Sequence, residues 1–132
     1  MIVATKLNVL AMAVGPMIVT GIDFPKLTPS QQAAVIAHER GHIIHKHGWK
    51  RIWWLVSFQW RDLAHRCQIQ ELEADRHATV LGHGYSLIHF LHSIHTHESP
   101  LHPTPRERIR SIEKWLQTVK YSLPVDVTGT NA

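Results

Sequence analysis

Residues 38–42 read His-Glu-Arg-Gly-His, the H-E-x-x-H pattern, and no other stretch restricts the chain as much. Two histidines four residues apart lie one helical turn apart on the same face. On a helix, His38 and His42 can therefore bind one metal ion, with Glu39 roughly 100° round the axis, near the ion's open side. Zinc held this way lowers the pKa of water toward about 7. A carboxylate at Glu39 can take the proton and pass it to a leaving amine. The pattern specifies hydrolysis, most often of a peptide bond. The chain contains 12 histidines, so the surroundings must raise the motif above coincidence.

Those surroundings start at Thr28-Pro29-Ser30-Gln31. Thr28 can be an N-cap, Pro29 suits the first helical position and Gln31 closes a capping box. The predicted helix runs to about His47 and stops at Gly48, with the motif in its middle. Gly41 has no side chain beside the metal position, which lets another backbone approach. A second long helix is predicted from Asp62 to Leu81, ending at Gly82 or Gly84. It carries Gln70-Glu71-Leu72-Glu73-Ala74-Asp75. Glu71 and Asp75 share a face, and 29 residues after His42 is far enough for Glu71 to arrive as a third ligand. Asp75 can orient a ligand histidine through its other ring N–H. Glu73 is the second choice for ligand. Cys67 reads as a small packing residue.

The remaining segments are less specific. Ile2 to Ile22 reads as two strands or one hairpin, Lys6 to Ala13 and Met17 to Ile22, around Gly15-Pro16. It is either an edge that takes substrate by strand addition or a plain core hairpin, and periodicity favours the latter. Trp49 to Arg61 holds four of the five Trp. The first expectation there is a helix or helical hairpin closing the core. The second is an interfacial element with aromatics at the headgroup level and basic flanks. Ser86 to about His97 and the stretch after Thr104 read as further helices, with a loose tail after Pro124.

Composition excludes several classes. At 132 residues and 44% apolar content the chain suits one globular domain. One Cys excludes a disulfide framework. A net charge of +4 is mild, and no nucleic-acid motif accompanies it. No apolar run reaches the roughly 20 residues that span a bilayer. Leu7 to Val19 follows a single Lys and is interrupted by Asn8 and Gly15-Pro16, so it does not read as a cleaved signal.

In order, these motifs resemble the zinc metallopeptidase family of the HtpX-like heat-shock proteases and the CAAX prenyl endopeptidases. The shared order is a hairpin, H-E-x-x-H at His38 to His42, E-x-x-x-D at Glu71 to Asp75, and a His-Pro segment leading to an Arg, here His102-Pro103 to Arg108. The resemblance covers about Asn8 to Leu116. It implies zinc ligands at His38, His42 and Glu71, a general base at Glu39 and a supporting partner at Asp75. It places His102 and Arg108 near the active site, where a donor could steady an oxyanion. His47 matches a position that is often His in the family. Asn8-Val9-Leu10 matches the substrate-binding strand loosely. Most members are integral membrane proteins, and their spanning helices have no counterpart here, which implies a minimal soluble catalytic domain.

The expectation is an α+β, zincin-like metallopeptidase, mainly helical, with a small N-terminal hairpin or sheet packed on the active-site helix. Residues 1–124 form one catalytic domain and 125–132 a loose tail. The expected function is a gluzincin-type endopeptidase with one Zn2+ per chain, acting on peptide or protein substrates. No nucleic-acid partner is expected. Peripheral membrane contact through Trp49–Trp60 is an option. The expected location is the cytoplasm, with a peripheral membrane or exported setting as the alternative. Two other readings are an ImmA/IrrE-like peptidase cutting a specific regulator, and a non-catalytic His-rich metal-binding module that uses His45, His47, His89, His92, His95 and His97.

Overall fold

The computed structural model describes residues 1–57, 61–94 and 99–122. The tail after Pro124, Trp60, and His95 and His97 lie outside the described residues. The fold is α+β, mostly helical with one small sheet. Strands β1 (Ile2–Ala4), β2 (Ala11–Val14) and β3 (Met17–Thr20) precede helices α1 (Pro29–Ile44), α2 (His47–Val56), α3 (Leu63–Ala78), α4 (Gly84–Ser93) and α5 (Pro105–Ser122).

The sheet order is β1-β3-β2. The β2–β3 hairpin turns at Gly15-Pro16 and pairs Ala11 with Thr20 through Val14 with Met17. The first hairpin strand thus starts at Ala11, not Lys6, and a further strand, β1, runs parallel to β3. Residues 7–10 instead form a loop over Gly21, whose N–H donates to the Leu10 carbonyl at 2.9 Å. A Cβ at Gly21 would sit 1.7 Å from the Val9 oxygen, so only glycine fits under this loop. With β3 central, β2 is an edge strand of the sheet among the described residues.

Helix α1 begins as its sequence dictates. The Gln31 N–H donates to Thr28 Oγ1, and the Gln31 side chain accepts from the Thr28 N–H at 3.1 Å. Its far end differs from expectation. The helix stops at Ile44, and Lys46 adopts left-handed φ 54° and ψ 37°. Gly48 does not terminate α1 but lies inside α2. The turn at Lys46 redirects the chain, so His47 is buried at 1% exposure beside His42.

The core lies where α1 meets α3, α4 and α5. Ala34, Val35, Ala37, Ala78, Leu87, Phe90, Leu91 and Ile112 form its buried cluster. The small residues let α1 and α3 approach closely. A Cβ built on Gly41 would lie 2.8 Å from the Ala74 Cα, which is the backbone approach that Gly41 permits. Helix α3 passes through a π-helical turn, Thr79–His83, and Gly82 at φ 91° makes the break before α4. Helix α5 opens on a second capping box, with the Thr104 N–H donating to Glu107 at 2.8 Å.

The expectation that the Trp-rich stretch closes the core is not met over α2. Trp49 is 72% exposed and Trp53 67%, and Ile52, Leu55 and Val56 are exposed with them. Trp54 is half-buried, with the Arg66 guanidinium 5.0 Å from its ring centroid. No helix among the described residues is long and apolar enough to cross a membrane.

Candidate metal centre

Two helices bring the expected ligands together. His38 and His42 project from one face of α1 toward Glu71 on α3. The two Nε2 atoms are 3.2 Å apart. Glu71 Oε2 lies 3.4 Å from His38 Nε2, and Oε1 lies 3.4 Å from His42 Nε2. These separations exceed a good hydrogen bond. They match the edges of a tetrahedral site, where bonds of about 2.0–2.1 Å put neighbouring donors about 3.3 Å apart. The residues therefore fit zinc in both donor type and spacing. His38 and Glu71 are buried, His42 is half-buried, and all three can ligate one ion.

Each histidine is held from behind. Asp75 Oδ1 lies 2.8 Å from His38 Nδ1. With Nδ1 donating to the carboxylate, the His38 Nε2 lone pair is free for a cation. Burial opposes charge on His38, but the hydrogen bond and charge of Asp75 outweigh it and raise its pKa to about 9. Asp75 is fully buried and takes two bonds from Arg108, Nε to Oδ2 at 2.8 Å and Nη2 to Oδ1 at 2.7 Å. Burial would raise the Asp75 pKa, yet the Arg108 bonds and charge hold it below the usual carboxylate range. Arg108 is correspondingly raised, its pairing with Asp75 outweighing its burial. Burial also works against the charge on Glu71, but the nearby His102, His38 and His42 rings hold its pKa well below the usual carboxylate range.

The support behind His42 was not anticipated. Its Nδ1 lies 2.7 Å from His47 Nδ1, and His47 Nε2 lies 2.8 Å from Glu73 Oε2. Burial pushes the His47 pKa down to about 4, despite the Glu73 bond, with His42 and His45 adding to the effect. A neutral His47 can accept from His42 and donate to Glu73. Glu73 is thus placed behind His42, apart from the His38, His42 and Glu71 donors. Sequence offered one trace of this, the family-like histidine at position 47. Its use depends on the left-handed turn at Lys46, which no pattern in the sequence announced.

The cleft over the site has a volume of about 900 Å3. Met12 and Ala13 of β2 line one side, Trp49 and Ile52 of α2 the other, and Glu39 and His102 face it between them. His102 is half-exposed, with Nδ1 3.6 Å from Glu71 Oε2. Arg108 is not part of the cleft lining. The expectation of an oxyanion donor there gives way to a guanidinium bound to Asp75 beneath His38. Arg51 of α2 and Lys46 bring cations to the cleft, and Arg51 donates to Glu71 Oε1 at 3.0 Å and to Gln70 at 2.7 Å. No sequence spacing pointed to Arg51, because its reach also depends on how α2 folds back.

Neither a curated protein nor a solved structure matches this chain. The family model of peptidase family M48 does match, over residues 10–61. That stretch contains β2, β3, α1 and α2, and with them His38, Glu39, His42 and His47. It ends before Glu71, Asp75, His102 and Arg108, which the fold alone brings to the same place. Over this stretch the chain is similar to a family of metallopeptidases, and the stretch is the part that carries H-E-x-x-H, the cleft edge and the helix facing it.

Proposed function

We propose that the chain is a zinc-dependent endopeptidase of the gluzincin type, related to peptidase family M48. The observation that carries this reading is the set of His38, His42 and Glu71 donor atoms at tetrahedral spacing, beneath a cleft that Glu39 also lines. Zinc held there would polarise a scissile carbonyl and lower the pKa of water toward about 7.

The chain's own residues do the rest. Glu39 takes a proton from the attacking water and returns it to the leaving amine. Asp75, anchored by Arg108, keeps His38 in the tautomer that presents Nε2. Arg51 and His102 offer donors at the rim, where charge develops on the carbonyl oxygen. The edge strand β2 would align an extended peptide by strand addition. Trp49 and Ile52 would receive an apolar side chain. The substrates are peptides or proteins. The exposed face of α2, with Lys46 and Lys50 beside it, would set the cleft against an anionic bilayer surface.

The test is cleavage of a diverse peptide library by the purified protein, with Glu39→Gln in parallel. The wild type should cut. The variant should retain one zinc per chain and lose on the order of 10²–10⁴-fold in rate. Equal cleavage by both proteins would remove Glu39 from the mechanism.

A further inference from the structure

A second group of donors sits one contact beyond His42. His45 at the end of α1, His47 at the start of α2 and Glu73 on α3 each bring a ligand atom within 4.8 Å of the others. The His45 and His47 rings are stacked, 5.5 Å between centroids and 17° from parallel. His77, one turn after Glu73 on α3, meets the His45 ring edge-on at 6.3 Å. Among the described residues, neither the His45 nor the His77 ring forms a hydrogen bond. His45 is exposed and Glu73 half-exposed, so the group is open to solvent.

We propose that these residues form a second divalent-cation site, distinct from the one in the cleft. His45, His47 and Glu73 are its ligands, and His77 borders the group through its edge-on contact with His45. Imidazoles with one carboxylate select zinc, cobalt, nickel or copper over magnesium and calcium, which prefer all-oxygen sites. This inference rests on the peptidase reading only where it concerns the effect of the second ion on cleavage.

That effect follows from contact. His47 lies between the two groups, with Nδ1 2.7 Å from His42 Nδ1 and Nε2 2.8 Å from Glu73. An ion held by His45, His47 and Glu73 would take the His47 ring and the Glu73 carboxylate away from their role behind His42. The support of His42 would then change with occupancy of the second site, and excess zinc should inhibit.

The experiment loads the full chain with zinc by equilibrium dialysis and counts ions per chain by elemental analysis. Wild type should hold two at saturation, and His45→Ala/His77→Ala should hold one. Circular dichroism checks that the variant is folded. In the same preparations, excess zinc should inhibit peptide cleavage by the wild type. The variant should cleave at the basal rate and need at least tenfold more zinc for the same inhibition. One ion per wild-type chain, or two in the variant, would overturn the site. Two ions with unchanged inhibition in the variant would overturn the coupling through His47. Two ions in a wild type that cleaves nothing would uphold the site and remove the peptidase reading instead.

Discussion

Helix α3 buries Glu71 at 5% exposure and Asp75 at 0%, whereas α2 leaves Trp49 at 72% and Trp53 at 67%. The two helices face the same cleft and depart from the usual inside–outside rule in opposite directions. On α3 the departure is compensated. Every buried carboxylate oxygen there meets a histidine or an arginine, so the desolvation of two acids is offset by a connected network. On α2 the apolar face stays exposed at Trp49, Ile52, Trp53 and Val56. Its inner side is taken by His47, Arg51 and Trp54, which face the site and Arg66. Buried charge on α3 is matched by partners on α1, α2 and α5, and the exposed aromatics of α2 are the feature that the proposed bilayer contact would account for.

The comparison is broken most severely by removing Asp75. Arg108 and His38 would both lose their partner in a place that water does not reach. Asp75→Ala should cost about 3–5 kcal/mol, read by urea unfolding with a chelator present. Asp75→Asn keeps the shape and one acceptor, so it should fold and instead lose zinc about 10–100-fold more readily. A loss below about 1 kcal/mol for the alanine variant would mean that the network is ornamental to the fold.

The contact between α1 and α3 gives the next effect. Gly41→Ala improves helix propensity by about 1 kcal/mol. It also drives a methyl group to 2.8 Å from the Ala74 Cα, which is backbone and cannot swing aside. Overpacking should win, with a net loss of about 1–3 kcal/mol in thermal or urea unfolding and a weaker zinc site. A more stable variant would show that the two helices can separate without harm.

What could be read from sequence follows the same division. The α1 half was legible because local chemistry fixes it: the Thr28 capping box and the four-residue spacing of His38 and His42 need no tertiary information. Glu71 and Asp75 were legible as a shared face on a second helix. The reach of Arg51 and the contact of His47 with His42 and Glu73 were not, because Arg51 and His47 are positioned by the turn at Lys46, a non-glycine residue in a left-handed conformation. A single positive φ turned the chain two residues before the predicted glycine stop. It made Gly48 helical and moved Trp49 and Trp53 from the expected core to the surface. The β1 strand was missed for a similar reason. Its partner, β3, is 16 residues away along the chain, and three apolar residues at a chain start carry no signal of parallel pairing.

The smallest effect on stability belongs to α2, and it tests what the exposed face is for. Trp53 does not line the cleft and is 67% exposed. Trp53→Ser should change unfolding stability by less than about 0.5 kcal/mol, as substitutions on an open surface do. The same change removes a large aromatic from the face that Ile52, Trp53 and Val56 share at helical spacing. Interfacial binding scales with buried apolar area, with anionic lipid adding attraction for Lys46 and Lys50. Partition into anionic vesicles should therefore fall on the order of tenfold, measured by co-sedimentation. A stability loss well above 1 kcal/mol would place Trp53 in the interior packing of the molecule and erase the contrast with α3. Unchanged partition with unchanged stability would keep the contrast and remove the bilayer as the surface that α2 meets.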